Sequence, residues 1–357
     1  MIRWKVFFAK VFQYEYWTWW VFYLPMLPYW LYWAFRTRSW AYFSAVNPSI
    51  ELGGFFGESK KDILDKIDKA YLPSYFLVEN MPFEELLTQL SLADISFPLI
   101  AKPNVGERGE QVSKILTIKE LHTYHHQQQG AYIIQEFIDF DVELGVLYVR
   151  MPQESTGKVT SITAKKFLSV QGNGKSTIRE LMQKEVRSFL QIKRLENILG
   201  EKMNLVPAEN EDVLLEPIGN HCRGTTFLNY NYLINKQIND IFDKITANIE
   251  GFYYGRFDLR VKSLEDFQKG KHIRILELNG VSSEPGHIYD PSYRLWKAYR
   301  DLAFHWSLIG KIALQNIRNG VQAAPLKLII KTFYQHFFGI KSEKNSVNPK
   351  ITFKNSE

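Results

Sequence analysis

The chain has 357 residues, with 44 Lys and Arg against 38 Asp and Glu, a formal net charge of +6. At 45% apolar and 23% charged residues it can form a packed core, which excludes wholesale disorder. Its one cysteine, Cys222, excludes an intrachain disulfide framework and any multi-cysteine metal cluster, and fits a reducing compartment.

The first segment is unusual. Tyr16 to Phe35 reads YWTWWVFYLPMLPYWLYWAF, uncharged and dominated by Trp and Tyr. About 20 such residues are long enough to cross a hydrocarbon core as a helix. Pro25 and Pro28 break a straight helix, and Trp and Tyr prefer the headgroup level. Arg3, Lys5 and Lys10 precede the run, and Arg36 and Arg38 follow it. Basic flanks on both sides predict a bent or interfacial segment with both ends at the cytoplasmic face of the cell membrane. Residues 1–45 are therefore expected to be a membrane-associated hydrophobic segment. No small-residue cleavage site of a signal peptide follows.

The middle of the chain alternates helical and extended patterns. Helices are expected over Gly57–Lys69, Phe83–Leu92, Ile118–Gln128, Thr177–Leu190 and Ile234–Ile249. Strands are expected over Tyr75–Val78, Phe97–Lys102, Val112–Leu116, Tyr132–Ile138, Glu143–Arg150, Val159–Leu168, Tyr253–Val261 and Ile273–Leu278. That excess of strands predicts an α+β architecture with antiparallel sheets. Residues 301–341 read as C-terminal helices. Leu326–Lys341 is either amphipathic, lying on anionic lipid, or an ordinary core-facing helix with a basic outer face. Residues 342–357 read as a flexible tail.

Four segments carry chemistry. In Phe97–Glu110 a strand ends at Lys102, and a turn with Gly106 and Gly109 follows. Glycines let amide donors approach a phosphate, and lysine supplies a compact cation. In Ile133–Glu143 an apolar strand runs into Glu136 and then Glu143. A strand edge there offers backbone groups to a base, and a carboxylate offers acceptors to ribose hydroxyls. In Gly255–Val261 the period of two puts Arg256, Asp258 and Arg260 on one face. In Ile275–Gly280 it puts Glu277 and Asn279 on one face. Side by side, those strands gather Asp258, Glu277 and Asn279, a hard-oxygen set that suits Mg²⁺.

The order of these four segments resembles the ATP-grasp superfamily, in the carboxylate–amine ligase branch of D-alanine–D-alanine ligases, glutathione synthetases and the ATP-grasp part of cyanophycin synthetase. The resemblance spans roughly Gly57 to Pro291. It implies an ATP-grasp domain over residues 46–300, with lobes at 57–135 and 136–300 gripping ATP, and it implies ATP and Mg²⁺ as cofactors. Lys102 would contact the phosphates and Arg256 would stabilise the reacting groups. Gly106 and Gly109 would shape the covering loop, and Glu136, Phe137 and Ile138 would form the adenine hinge. Glu143 would hold the ribose. Lys165 or, in the preferred assignment, Lys166 would reach a phosphate, and Lys60 or Lys61 would supply another lysine. Asp258, Glu277 and Asn279 would bind Mg²⁺.

Arg223, Ser282, Ser283, Glu284 and His287 are the candidate substrate residues, Arg223 for a carboxylate and Glu284 for an amine. Thr177 and Glu180, in the stretch Gly172–Leu181, read as a capping box, and the stretch is not a Walker A loop because Ser169 stands where its first glycine belongs. The cluster His122, His125 and His126 reads as a solvated helix end.

Such ligases usually open with a Rossmann-like lobe, and the stretch before Gly57 is too short for one. The aromatic segment is expected to take its place, with a small-molecule or lipid-linked carboxylate and amine as substrates, membrane lipid as a partner and a homodimer as one assembly. A small-molecule kinase and a non-catalytic ATP-binding scaffold are the rival classes. No nucleic-acid motif accompanies the positive charge, so a nucleic-acid partner is not expected.

Overall fold

The computed structural model describes residues 2–106 and 111–337. The aromatic segment forms α1 (Ile2–Phe12), α2 (Trp19–Tyr23) and α3 (Leu27–Thr37). Pro25 and Pro28 fall at the 3-10 turn Leu24–Met26 and at the start of α3, where a missing backbone donor is tolerated. No helix among the described residues is long and apolar enough to cross a membrane.

The chain continues through α4 (Lys60–Leu64), β1 (Tyr75–Val78), α5 (Phe83–Leu92), β2 (Leu99–Pro103), β3 (Ser113–Ile115), α6 (Ile118–Gln127) and β4 (Tyr132–Glu136). It then forms β5 (Val142–Val149), β6 (Lys158–Lys166), β7 (Ser169–Gln171), α7 (Ile178–Met182), α8 (Val186–Leu199), β8 (Asp212–Leu214), β9 (Thr226–Asn229) and α9 (Lys236–Thr246). It ends in β10 (Tyr254–Val261), α10 (Leu264–Gln268), β11 (Arg274–Asn279), α11 (Leu295–Arg318) and α12 (Leu326–Phe337).

Two antiparallel sheets organise the molecule. The first has strand order β1-β4-β2-β3 and the second β11-β10-β5-β6-β9. Leu86 and Leu90 of α5 and Leu121 and Tyr124 of α6 bury against Leu99, Ala101 and Ile134 on one face of the first sheet. Ile238, Phe242 and Ile245 of α9 bury against Phe257, Leu259 and Val261 on one face of the second. This is the apolar half of the period-two alternation in β10.

The other face of the second sheet is divided. At one end Leu147, Val149 and Tyr254 lie under Trp33 of α3 and Ile309 and Ile312 of α11. At the other end the register sets Arg256, Asp258 and Arg260 of β10 opposite Leu147, Gly145 and Glu143 of β5.

Two expectations change in detail. The single helix over Thr177–Leu190 breaks into α7 and α8, because Glu185 takes extended backbone angles and α8 turns back to bury Leu195 with Ile178, Leu181 and Met182. The Thr177/Glu180 capping box is present at the start of α7. Strands β7, β8 and β9 were not expected; each is three or four residues long, too short to carry a period, and is fixed by its partner strand.

Candidate functional site

The charged end of the second sheet gathers alternating side chains from four neighbouring strands. Asp258 lies directly opposite Glu277, and Arg256 opposite Asn279. Arg256 donates to both carboxylate oxygens of Asp258, Nε to Oδ1 and Nη2 to Oδ2, each at 3.0 Å. The Asn279 amide donates to Asp258 Oδ2 at 3.1 Å. Lys165 Nζ stands 3.2 Å from Asp258 Oδ1 and 3.1 Å from Glu143 Oε1. Arg260 Nε donates to the other oxygen of Glu143 at 3.0 Å, and its Nη1 donates to the Ile138 carbonyl at 2.7 Å.

Two lysines reach this cluster from outside the sheet. Lys60 opens α4 behind its Ser59 cap and stands 3.2 Å from Glu277, while Lys61 turns outward to Asp65. Lys102, 6% exposed, projects from β2 and donates to Gln135 Oε1 at 3.0 Å and to the Leu276 carbonyl at 2.9 Å. The cluster thus holds five cationic side chains (Lys60, Lys102, Lys165, Arg256, Arg260) and three carboxylates (Glu143, Asp258, Glu277).

The electrostatics follow from burial and pairing. Burial would raise the Asp258 carboxyl, but Arg256 and Lys165 override it and hold it at about 2. Burial likewise opposes the ionised form of Glu277, and Lys60 and then Lys102 keep it below the usual carboxylate range. Lys102 is pushed down to about 8 by burial, only partly offset by Glu277. Lys165 is raised despite burial, through Asp258 and Glu143.

The remaining expected residues fall in several places. Lys166 is exposed, on the opposite face of β6 from Lys165, so the lysine assignment shifts by one residue; the strand's alternation decides it. Glu136 accepts from the Ser74 amide at 3.1 Å. The Phe137 ring lies under Lys114 Nζ at 3.7 Å and faces Arg260 at 5.4 Å, with Phe167 on that guanidinium at 5.3 Å. The Gly106 carbonyl accepts from Lys60. Gly109 lies outside the described residues.

In the loop after β11, Ser282 is exposed. Ser283 and His287 are not available to a ligand: Ser283 Oγ donates to the Asn279 carbonyl at 2.9 Å, and His287 is buried between Ser161 at 2.8 Å and Asp301 at 3.1 Å. They fix the loop instead. Arg223 faces Glu216 at 3.7 Å, which Arg194 also engages. Glu284 is held by Tyr289 at 2.5 Å and by Tyr23 of the aromatic segment, and burial pushes its carboxyl up to about 7. Among the described residues no group of three or more His, Cys, Asp and Glu side chains stands where it could hold a metal; the His122 and His126 rings bond each other at 3.0 Å.

The aromatic segment joins the site at several points. Tyr14 donates to the Ile288 carbonyl, Tyr299 donates to the Phe22 carbonyl at 3.0 Å, and Glu15 pairs with Arg187 beside His221. Val281 and Ser282 donate to the Gly53 and Gly54 carbonyls. The backbones approach so closely that a Cβ on Gly54 or Gly280 would lie 2.6 Å from the other's Cα, so both positions require glycine.

Sequence reasoning missed Gln135, the Arg260–Glu143 pair and the Tyr23–Glu284 contact. Arg260 was visible as the third member of the β10 alternation; the Tyr23 contact joins distant parts of the chain and left no local signal.

The chain matches no family model and no curated protein. Among solved structures it is similar to a bifunctional glutathione synthetase from Pasteurella multocida, at 14% identity and TM-score 0.37, over 69% of this chain and 35% of that one. It is also similar to the VanG D-Ala:D-Ser ligase of Enterococcus faecalis, at 12% identity and TM-score 0.38, over 68% of this chain and 56% of that one. A third is the D-alanine-D-alanine ligase of Coxiella burnetii, at 9% identity and TM-score 0.41, over 78% of this chain and 60% of that one. The chain thus spans between a third and three fifths of these proteins. They bear the names of ligases that the motif order resembles, but likeness at this level shows nothing about the chemistry of this chain.

Proposed function

We propose that this protein is an ATP-dependent carboxylate–amine ligase working through an acyl phosphate at a membrane surface. The supporting observation is the convergence on one sheet face of five cations and three carboxylates, two of the carboxylates directly opposed on neighbouring strands. The formal excess of two positive charges complements a nucleoside triphosphate carrying one divalent ion. A site built only for stability would not gather surplus buried cations, because unpaired buried charge is costly.

The donor chemistry fits Mg²⁺: Asp258 and Glu277 supply carboxylates held ionised, Asn279 supplies an amide oxygen, and Glu277 is partly open to solvent. Bound there, Mg²⁺ would neutralise phosphate charge. Lys102, Lys165 and Lys60 would bind and orient the phosphates. Arg256 would stabilise negative charge developing on the transferred phosphoryl group and on the tetrahedral carbon. A substrate carboxylate oxygen takes the γ-phosphoryl group and ADP leaves. The free amine nitrogen then attacks the acyl carbon, the carbon–oxygen bond to phosphate breaks, and inorganic phosphate departs as the nitrogen gives up one proton and keeps the other in the amide.

The membrane part of the reading rests on exposed aromatic surface. Trp4, Phe7, Phe8, Phe12, Trp19 and Trp20 project from α1 and α2, and the basic flanks around the segment suit anionic headgroups. Leu328, Ile330 and Phe333 of α12 are exposed as well.

The test is a screen of carboxylates with hydroxylamine as the generic amine, Mg·ATP present, reading ADP and hydroxamate. Wild type should give equal amounts of both with at least one carboxylate, and Asp258→Asn neither. ADP with a phosphorylated product and no hydroxamate would make the protein a kinase. Failure to bind Mg·ATP would end the reading.

A further inference from the structure

We propose that Glu284, clasped by Tyr23 and Tyr289, is the binding site for the ammonium group of the acceptor substrate, and that the aromatic N-terminal segment builds one wall of that subsite. The inference rests on the ligase reading and names the class of its second substrate, a primary amine.

The starting point is a carboxyl group whose ionised form has no counter-charge in the protein. Glu143, Glu216 and Asp258, the acidic residues among the buried polar groups, each meet a Lys or Arg within the protein. Glu284 is held differently. Its Oε2 accepts from the Tyr289 hydroxyl at 2.5 Å and its Oε1 from the Tyr23 hydroxyl. Among the described residues no Lys, Arg or His comes within ion-pair distance of it. Two phenols satisfy two of about four lone-pair directions but bring no positive charge. When ionised, this half-buried carboxylate lacks a counter-charge, and an ammonium ligand supplies both the charge and the missing donors.

The surroundings suit such a ligand. Tyr23 stacks on Trp306 with ring centres 6.0 Å apart, and Tyr289 lies 5.1 Å from the His221 ring, so Glu284 sits among aromatic rings. Ring faces attract cations and exclude water. The loop is pinned to the reacting face of the sheet. Gly286 lies against the Thr163 side chain, and His287 is held by Ser161. Ser161, Thr163 and Lys165 alternate on one face of β6, so the strand that carries Lys165 to Asp258 also seats the loop that carries Glu284. The aromatic segment therefore does more than contact a surface: Tyr23 fixes one oxygen of the binding carboxylate.

The test is calorimetric titration of the full chain with hexylammonium chloride as the probe and 1-hexanol as its uncharged counterpart. Wild type should bind hexylammonium and favour it over hexanol. Glu284→Gln should weaken hexylammonium at least tenfold, Tyr23→Phe severalfold, and the exposed Glu201→Gln not at all. Should Glu284→Gln fail to fold, Tyr23→Phe and Tyr289→Phe carry the test. Equal affinity in wild type and in these variants, or no preference over hexanol, overturns the proposal. A parallel Mg·ATP titration separates the two readings. Glu284-dependent amine binding without nucleotide binding would refute the ligase and leave the subsite; nucleotide binding without Glu284-dependent amine binding would do the reverse.

Discussion

Lys102 Nζ and the Leu276 carbonyl, 2.9 Å apart, tie β2 of the first sheet to β11 of the second. One buried ammonium thus spans the gap between the sheets and lies beside the carboxylates of the proposed nucleotide site. Replacing it with Met, of similar length and without charge, should cost about 1–3 kcal/mol of stability, because the Gln135 and Leu276 oxygens lose their buried donor. Mg·ATP affinity should fall at least tenfold, read by titration with a fluorescent ATP analogue. A large stability loss with unchanged affinity would make Lys102 a strut only.

Two buried groups should tilt stability in opposite directions with pH. Burial, and then His287, lowers the His305 imidazole to about 3. The unfolded chain therefore binds more protons than the folded one between about pH 3 and 6.5, and stability rises with pH there. Burial raises Glu284 to about 7, so in the folded state it keeps a proton that the unfolded chain loses above about pH 4.5; its contribution falls as pH rises to 7. Each slope is at most about 1.4 kcal/mol per pH unit. Urea unfolding from pH 5 to 6.5 should show Glu284→Gln gaining stability with pH relative to wild type, and His305→Gln losing it.

Gly310 of α11 lies beneath the Trp33 ring, and a Cβ there would fall 2.0 Å from the indole. Gly310→Ala should destabilise the protein by about 1–3 kcal/mol through overpacking. Because the displaced element is α3, limited proteolysis should cut first between α2 and α3. A Trp33→Leu change in the same chain should restore much of the loss.

The exposed rings of α1 and α2 predict lipid binding that depends on both charge and aromatic surface. Full-length protein should sediment with vesicles containing phosphatidylglycerol and much less with pure phosphatidylcholine. Trp19→Ser combined with Trp20→Ser should weaken that binding severalfold. Unchanged sedimentation would remove the membrane from the proposed function.

Much of the charged sheet face was legible because strands advertise themselves. A period of two in Gly255–Val261 and in Ile275–Gly280 sorts Arg256, Asp258, Glu277 and Asn279 to one side, and the register between β10 and β11 sets the same residues opposite one another. Lys165 and Lys166 show where such reading ends: adjacent lysines look equivalent until the strand's phase is known. Ser283 and His287 were read from their position in a loop, and their burial depends on Ser161 and Asp301, which are remote in sequence. The aromatic segment was legible as composition only. That its inner side would meet Glu284, Ile288 and Arg187 was set by packing across most of the chain's length.

The two-glycine crossing of Gly54 and Gly280 leaves no slack between the strand that ends at Asn279 and the chain emerging from the aromatic helices. A pull on that amino-terminal region reaches the site through hydrogen-bonded main chain, not through a flexible tether. Enlarging either glycine would therefore push β11 and the aromatic helices apart as a pair, and a loss of Mg·ATP binding and of vesicle binding should appear together.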